Sequence, residues 1–183
     1  MVGILVDGDK RELLAQGESG LVILDQTPFY AESGGQVGDT GVLEGAGMQF
    51  RVGDTRKVAG VYHAHDGKME SGSLKVGDTV RARIDEQRRA DIVRHHSATH
   101  LLHAALRDIL GQHVQQKGSL VAPDRLRFDF SHFEPLTPAQ LQEIEDRVNR
   151  QIRENAAASA EVMDYDAAMD AGALAFFGDK YGD

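Results

Sequence analysis

The spacing of hydrophobic and polar residues changes once along the chain, near residue 85. Before that point, short β-prone runs alternate with turns rich in glycine and aspartate. The runs cover residues 20–25, 40–43, 48–52, 61–65 and 76–84. Short runs at this spacing predict an antiparallel sheet or a small barrel over residues 1–85.

From residue 86 the apolar positions follow the 3.6-residue period of a helix. Val93, Leu101, Ala105 and Ile109 carry the pattern, which predicts one long helix over residues 86–110. Aspartate before the helix and glycine after it are typical of an N-cap and a C-cap, here Asp85 and Gly111.

The remaining chain predicts a hairpin, a second long helix and two short elements. Residues 114–121 and 125–131 flank the turn 122–124, and apolar residues alternate with polar ones in the second run. Thr137 and Pro138 open a capping box, and an inward stripe follows at Leu141, Ile144, Val148 and Ile152. A short strand at 160–163 and a short helix around Ala167 complete the pattern. The fold class is therefore α+β, in which residues 86–183 form a second subdomain with two main helices packed on an antiparallel sheet.

Composition restricts the chemistry that this chain can perform. Its 183 residues include no cysteine, which excludes thiol catalysis, a disulfide framework and zinc ligation by sulfur within the chain. No apolar run approaches the length of a bilayer span, and the first residues lack the positive flank of a signal peptide, so we expect a cytoplasmic protein with no membrane partner.

The net charge of −9 opposes a general affinity for nucleic acid. A nucleic-acid partner would need a local basic cluster, for which Arg88, Arg89 and Arg94 are the candidates, or binding elements outside this chain. A solvated helix face explains the same three residues equally well.

Histidines are concentrated inside the first predicted helix. His96 and His100 stand four residues apart, which puts both imidazoles on one face within reach of a single metal ion, and His103 continues the stripe. Ser97 occupies the position where a metallopeptidase of this spacing carries its glutamate base, so a peptidase is excluded. The alternative is that these histidines are hydrogen-bonded or solvated and bind no metal.

A glycine-rich segment over residues 27–41 is the second candidate for chemistry. Gly34 and Gly35 allow close approach of backbone N–H groups to a ligand, and Gln36 adds a polar contact. The spacing matches neither a phosphate-binding loop nor a dinucleotide fingerprint, which argues against nucleotide binding by this chain.

Four motifs in this order resemble the editing region of the alanyl-tRNA synthetase family. They are TPFYAESGGQVGDTG at 27–41, RHHSATHLLHAAL at 94–106, QQKGSLV at 115–121 and LRFDFSH at 126–132. Freestanding alanyl-tRNA editing proteins and the threonyl-tRNA synthetase editing domain are more distant relatives. The resemblance implies a β-barrel-like subdomain followed by an α+β subdomain with a zinc site.

The resemblance also implies a function, a ligand set and partners. The expected reaction is hydrolysis of the ester of mischarged Ser-tRNA(Ala) or Gly-tRNA(Ala), at the tRNA 3′ end. The parent enzyme would ligate alanine to tRNA(Ala) with ATP and magnesium in another domain. Zinc would be held by His96, His100 and a later Cys-x-x-x-His that this sequence lacks, so we expect a C-terminally truncated fragment of weak or no activity.

By the same resemblance, individual residues acquire expected roles. Thr27 would read the serine hydroxyl and Gln116 would hold water or a substrate carbonyl, as the catalytic candidates. Gly34, Gly35, Gln36 and Lys117 would bind the substrate. Two alternatives remain, a catalytically silent RNA-positioning module of the synthetase and a freestanding editing relative.

Overall fold

The computed structural model describes residues 3–157, 159 and 161–172. The strands within these residues are β1 Gly3–Val6, β2 Asp9–Arg11, β3 Leu13–Ala15, β4 Ser19–Ile23, β5 Gly41–Gly45, β6 Met48–Val58, β7 Tyr62–Ser71, β8 Ser73–Lys75, β9 Arg81–Ile84, β10 Gln116–Val121 and β11 Leu126–Phe130. The helices are α1 Glu86–Leu110, α2 Pro138–Glu154 and α3 Tyr165–Asp170. The α+β class is confirmed.

The chain divides into two compact units, and the division cuts α1, β10 and β11. Unit 1 comprises residues Met1–Ser97 and Ser119–Arg127, and unit 2 comprises Ala98–Gly118 and Phe128–Asp183. Both units draw on residues that are distant in the sequence. The predicted boundary at residue 85 stays a prediction.

Unit 1 is built on a seven-stranded antiparallel sheet with the order β2-β1-β4-β7-β6-β5-β9. Alternate side chains of its strands point to one face and form a core around Ile4, Val22, Leu43, Phe50 and Met69. Among the described residues the edge strands β2 and β9 do not pair with each other, so the barrel-like form predicted for this subdomain is not found.

Four of the predicted β-prone runs begin within one residue of a strand of this sheet, although β6 and β7 extend well past the predicted ends. The run predicted at 76–84 is wrong at its start, because β8 ends at Lys75 and β9 begins at Arg81. The first three strands were missed, because each is only three or four residues long and too short to show a period.

The first helix begins and ends where the sequence predicts. The Asp85 carboxylate accepts a hydrogen bond from the Arg88 amide at 3.0 Å, which makes it the N-cap. Gly111 follows the helix with a φ of +118°. The predicted apolar stripe is confirmed at Ala105, which is buried, and at Ile109, which packs against the core of unit 2. It is wrong at Val93, which is 52% exposed, whereas its neighbour Ile92 is fully buried.

Unit 2 packs the later part of α1 against α2 and against those parts of β10 and β11 that belong to unit 2. Its core contains Ala105, Leu106, Val114 and Ile144, with Phe128 and Phe130 partly buried against them. The capping box at Thr137 forms as predicted. The Thr137 side chain accepts from the backbone amide of Gln140, and the Gln140 side chain accepts from the backbone amide of Thr137. The predicted stripe on α2 is only half correct, because Leu141 and Ile152 are 53% and 51% exposed.

The last described residues confirm one short element and correct another. Helix α3 lies where the sequence predicts a helix around Ala167. Residues 161–163 are not in a strand, and Ala160 lies outside the described residues. No helix among the described residues is long and apolar enough to cross a membrane.

Candidate functional site

The glycine-rich segment forms a loop in unit 1 between β4 and β5, and Thr27 at its start contacts a buried histidine. Thr27 Oγ1 lies 2.7 Å from His65 Nε2, and the Phe29 amide donates to Thr27 Oγ1 at 3.1 Å. His65 projects from β7 and is fully buried, with the Phe29 ring edge-on to it. The hydroxyl of Thr27 is therefore fixed by contacts on two sides.

The contacts of His65 determine its tautomer. Its Nδ1 lies 2.8 Å from the Val22 carbonyl oxygen, which can only accept, so Nδ1 carries a proton. Burial lowers the pKa of His65. The hydrogen bond to Val22 raises the pKa by a smaller amount, and the nearby His63 lowers it further. In the neutral ring Nε2 has no proton and accepts from the hydroxyl. The Thr27 hydroxyl thus donates its proton to His65. Toward a ligand, the Thr27 oxygen can therefore act only as an acceptor.

We expect the stability of the protein to fall below pH 7 because of His65. In the unfolded chain its pKa has the ordinary value of 6.5, and in the native state it is lower. As the pH falls through 6.5 the unfolded state takes up a proton that the native state does not, so the free energy of unfolding decreases. The slope for one such group reaches about 1.4 kcal/mol per pH unit.

Urea denaturation at several pH values between about 5.5 and 7 measures that slope. His65→Gln removes the titrating group and keeps a polar side chain, so its slope should be flatter than that of the unmodified protein. Equal slopes in the two proteins would contradict the role given to His65.

Gly34 and Gly35 adopt positive φ, as their predicted role requires, but Gly35 serves packing. Its φ is +87°, and a Cβ there would lie 2.5 Å from the Ser119 carbonyl oxygen. The Gly35 carbonyl accepts from the Val121 amide at 2.8 Å, and the Val37 amide donates to Val121 O at 3.1 Å. The loop is thus joined to β10 like an added strand, and Gly35 has no room for a side chain.

Gln36 is buried and meets the first histidine of the predicted metal pair. Its Oε1 lies 2.6 Å from His96 Nδ1. Because an amide oxygen only accepts, His96 carries its proton on Nδ1, which orients Nε2 as the basic nitrogen of the neutral ring. His95 is oriented in the same way by the Ala122 carbonyl oxygen, at 2.7 Å.

The three histidines of the predicted stripe are divided between the two units. His96 belongs to unit 1, and His100 and His103 belong to unit 2. Burial lowers the pKa of His103, which keeps it neutral in the core of its unit. Within the part of the chain that the structure describes, no group of three or more His, Cys, Asp or Glu side chains is placed to hold a metal ion. The ligation by His96 and His100 stays a prediction.

The remaining predicted site residues lie in unit 2. Gln116 begins β10 and is half-buried, and Lys117 is exposed with Nζ 3.4 Å from Gln115 Oε1. Their roles toward a substrate stay predictions.

The arginines considered for nucleic-acid binding are engaged within the protein. Arg89 makes a two-point ion pair with the buried carboxylate of Asp39, and Arg88 donates to the Gly38 carbonyl at 2.7 Å. Arg94 pairs with Asp91 three residues earlier in α1. Arg88 and Arg89 therefore fasten the glycine-rich loop to the start of α1, and the basic-cluster hypothesis loses two of its three residues.

Asp39 and His65 were missed in the sequence analysis, and so was the pairing of Arg89 with Asp39. Asp39 and Arg89 are fifty positions apart, and pairing across that distance leaves no local pattern. His65 did leave a signal, because alternation along a strand puts His63 and His65 on one face.

Comparison with known proteins first indicates a class. The family model described as "tRNA synthetases class II (A)" matches residues 1–88. This overturns the expectation of an editing hydrolase, because the match places that part of the chain with the class II catalytic domain for aminoacylation and not with an editing domain.

The comparison then narrows the class to one kind of ligase. Over all 183 residues the chain is 55% identical to the alanine–tRNA ligase of Stenotrophomonas maltophilia, 58% to that of Halorhodospira halophila and 57% to that of Methylococcus capsulatus. It covers 21% of each of these proteins. The resemblance to alanyl-tRNA synthetases is confirmed in this coarser form: the chain is similar, from end to end, to a segment about a fifth as long as these ligases.

Proposed function

We propose that this chain is part of the aminoacylation domain of an alanine–tRNA ligase. The supporting observation is that the chain, aligned over its full length, is more than 50% identical in sequence to ligases of this kind. The class II family model also matches residues 1–88. The reaction of the whole enzyme would be ATP-dependent attachment of alanine to tRNA(Ala).

Within that enzyme, the segment would act as a rigid support and contribute contacts to tRNA(Ala). Its sequence has no phosphate-binding loop, so ATP and magnesium would be bound by other parts of the parent. The loop over residues 27–39 is instead held by internal contacts, which are Thr27 to His65, Asp39 to Arg89 and Gly35 to Val121. A loop fixed in this way can hold a neighbouring surface in one geometry without doing chemistry itself.

A chimera tests the proposal. This chain would replace the matching segment of the Methylococcus capsulatus ligase, with which it shares 57% identity. We expect the chimera to alanylate tRNA(Ala) at a rate within about tenfold of the unmodified ligase, since a segment of 57% identity should keep the geometry on which catalysis depends. A ligase from which the segment is deleted should lose alanylation.

Two results would overturn the proposal. One is a folded chimera, judged by its thermal unfolding, that does not alanylate. The other is a deletion variant that alanylates tRNA(Ala) as fast as the unmodified ligase, which would show that the segment lies outside the aminoacylating machinery.

A further inference from the structure

Unit 2 carries an aromatic cluster of His113, His132 and Phe133, none of which belongs to the candidate functional site. The rings of His113 and Phe133 are stacked, with centroids 4.1 Å apart and planes at 25°. His132 lies against both, with centroids 5.1 Å from His113 and 5.5 Å from Phe133. A hydrogen bond of 2.9 Å joins His113 Nε2 to His132 Nδ1. Three rings thus form one connected aromatic surface.

Phe133 is the outer member of this cluster, and 82% of it is exposed. Exposing a phenylalanine to this extent forgoes the free energy of burying an apolar ring. One ring face is stacked on His113, so the exposed area includes the other face. Single exposed apolar residues are common on protein surfaces. Phe133 differs from them because its ring packs against two other aromatic side chains.

The segments that carry the cluster are firmly held. Arg107 donates to the Val114 carbonyl at 3.2 Å and also contacts Gln112, which fixes the residues on both sides of His113. Val114 is fully buried in the core of unit 2. On the other side the Ser131 amide donates to Gln115 O at 3.0 Å, immediately before His132. The ring surface is therefore preorganised, and a ligand would not have to bear the cost of ordering it.

The chemistry of this surface favours a flat, aromatic ligand. An aliphatic side chain needs a concave site, whereas Phe133 stands out from the surface. A nucleobase presents a π-face of similar size and stacks on phenylalanine and histidine in single-stranded RNA recognition. The net charge of −9 disfavours a long or double-stranded nucleic acid, whose affinity comes from phosphate contacts. One unpaired base at the end of a strand avoids most of that repulsion.

We propose that Phe133, supported by His113 and His132, is a stacking platform for one unpaired RNA base. The identification of RNA as the ligand rests on the proposed function, since an alanine–tRNA ligase handles the unpaired end of a tRNA. Stacking carries the binding, so affinity depends little on salt and does not require a basic patch.

Fluorescence anisotropy with the 183-residue chain tests the platform. The probe is a short labelled single-stranded RNA ending in an unpaired adenosine, and the same sequence in a blunt duplex is the comparison. We expect the chain to bind the single strand and not the duplex. Phe133→Ala should weaken binding between about fivefold and about 150-fold, the range that alanine substitution gives for one stacked base.

Three further variants separate stacking from other causes. Phe133→Tyr keeps an aromatic face and should bind as the unmodified chain does, whereas Phe133→Leu keeps apolar bulk without that face and should bind as weakly as Phe133→Ala. Tyr62→Leu is the matched control, because Tyr62 is an aromatic residue of unit 1 that is 54% exposed. It should leave the affinity unchanged, and thermal unfolding should show that all variants fold.

Several outcomes would overturn the platform. They are absence of binding by the unmodified chain, equal binding of the duplex, full binding by Phe133→Leu, or an equal loss in Tyr62→Leu. Full RNA binding by Phe133→Leu with a lowered melting temperature in the chimeric ligase would instead assign Phe133 to an interface between protein domains. Because the anisotropy measurement needs no alanylation, loss of activity in the chimera with intact stacking would reject the proposed function alone.

Discussion

Asp39→Asn is expected to lower the free energy of unfolding by about 3 kcal/mol, a large share of the roughly 5–15 kcal/mol available to a domain. Asp39 is 1% exposed and accepts from the Tyr30 amide at 2.7 Å and from Arg89 Nε at 2.8 Å. An asparagine amide nitrogen would turn a donor toward one of these donors. The hydrogen bond from Arg89 to Asp39 also raises the pKa of Arg89. Removing the carboxylate removes this stabilisation of the charged guanidinium.

The experiment is urea denaturation of the variant beside a matched exposed pair. Arg51 and Glu70 make the same two-point contact, at 2.5 and 3.2 Å, but their side chains are 60% and 36% exposed. Glu70→Gln should change stability little, since solvent screens exposed ion pairs. Similar urea midpoints for Asp39→Asn and the unmodified protein would show that the buried Asp39 carboxylate contributes nothing to the free energy of unfolding.

Gly38→Ala is the second large effect, and we expect it to cost about 3 kcal/mol. A Cβ on Gly38 would lie 2.0 Å from the Thr55 carbonyl oxygen and 2.8 Å from the Thr55 amide nitrogen. That carbonyl cannot move aside easily, because it accepts from the Glu32 amide at 2.8 Å and Thr55 is fully buried. Overpacking against fixed backbone costs between about 1 and 3 kcal/mol and forces the loop away from β6.

Gly53→Ala provides the control for this substitution. Gly53 lies in β6 next to the same segment, and a Cβ there would meet only the Asp66 carbonyl oxygen, at 3.9 Å. The reduced entropy of the unfolded chain and the absence of a clash should keep its effect within about 1 kcal/mol of zero. Equal melting temperatures for the two alanine variants would mean that the close approach at Gly38 is not a constraint.

Local patterns predicted the elements with strong signals. Helix α1 and the capping box of α2 were recognised because caps and 3.6-residue spacing are encoded within a few neighbouring residues. The strands β1 to β3 were missed because their stability comes from pairing, β1 with β2 and β4, and β3 with β8. Short strands carry little information until the partner strand is known.

The editing prediction came from resemblance between motifs, and the match of the class II family model over residues 1–88 corrected it. Several residues of those motifs also make contacts that stabilise the fold. Gly35 packs on Ser119, and Gln36 orients His96. A motif lists the residue types in a segment, but a glycine required by packing and one required by a ligand look identical in sequence.

By itself, the sequence determined the α+β class, the first helix with both caps, the hairpin and the absence of thiol chemistry, because each follows from residue type or from contacts between near neighbours. Only the tertiary structure decided that Arg89 neutralises Asp39, that His65 is neutral and holds Thr27 as an acceptor, and that Phe133 lies exposed on two imidazoles. Burial and partnership across tens of residues set the charge and direction of a side chain, and those are properties of the folded chain alone.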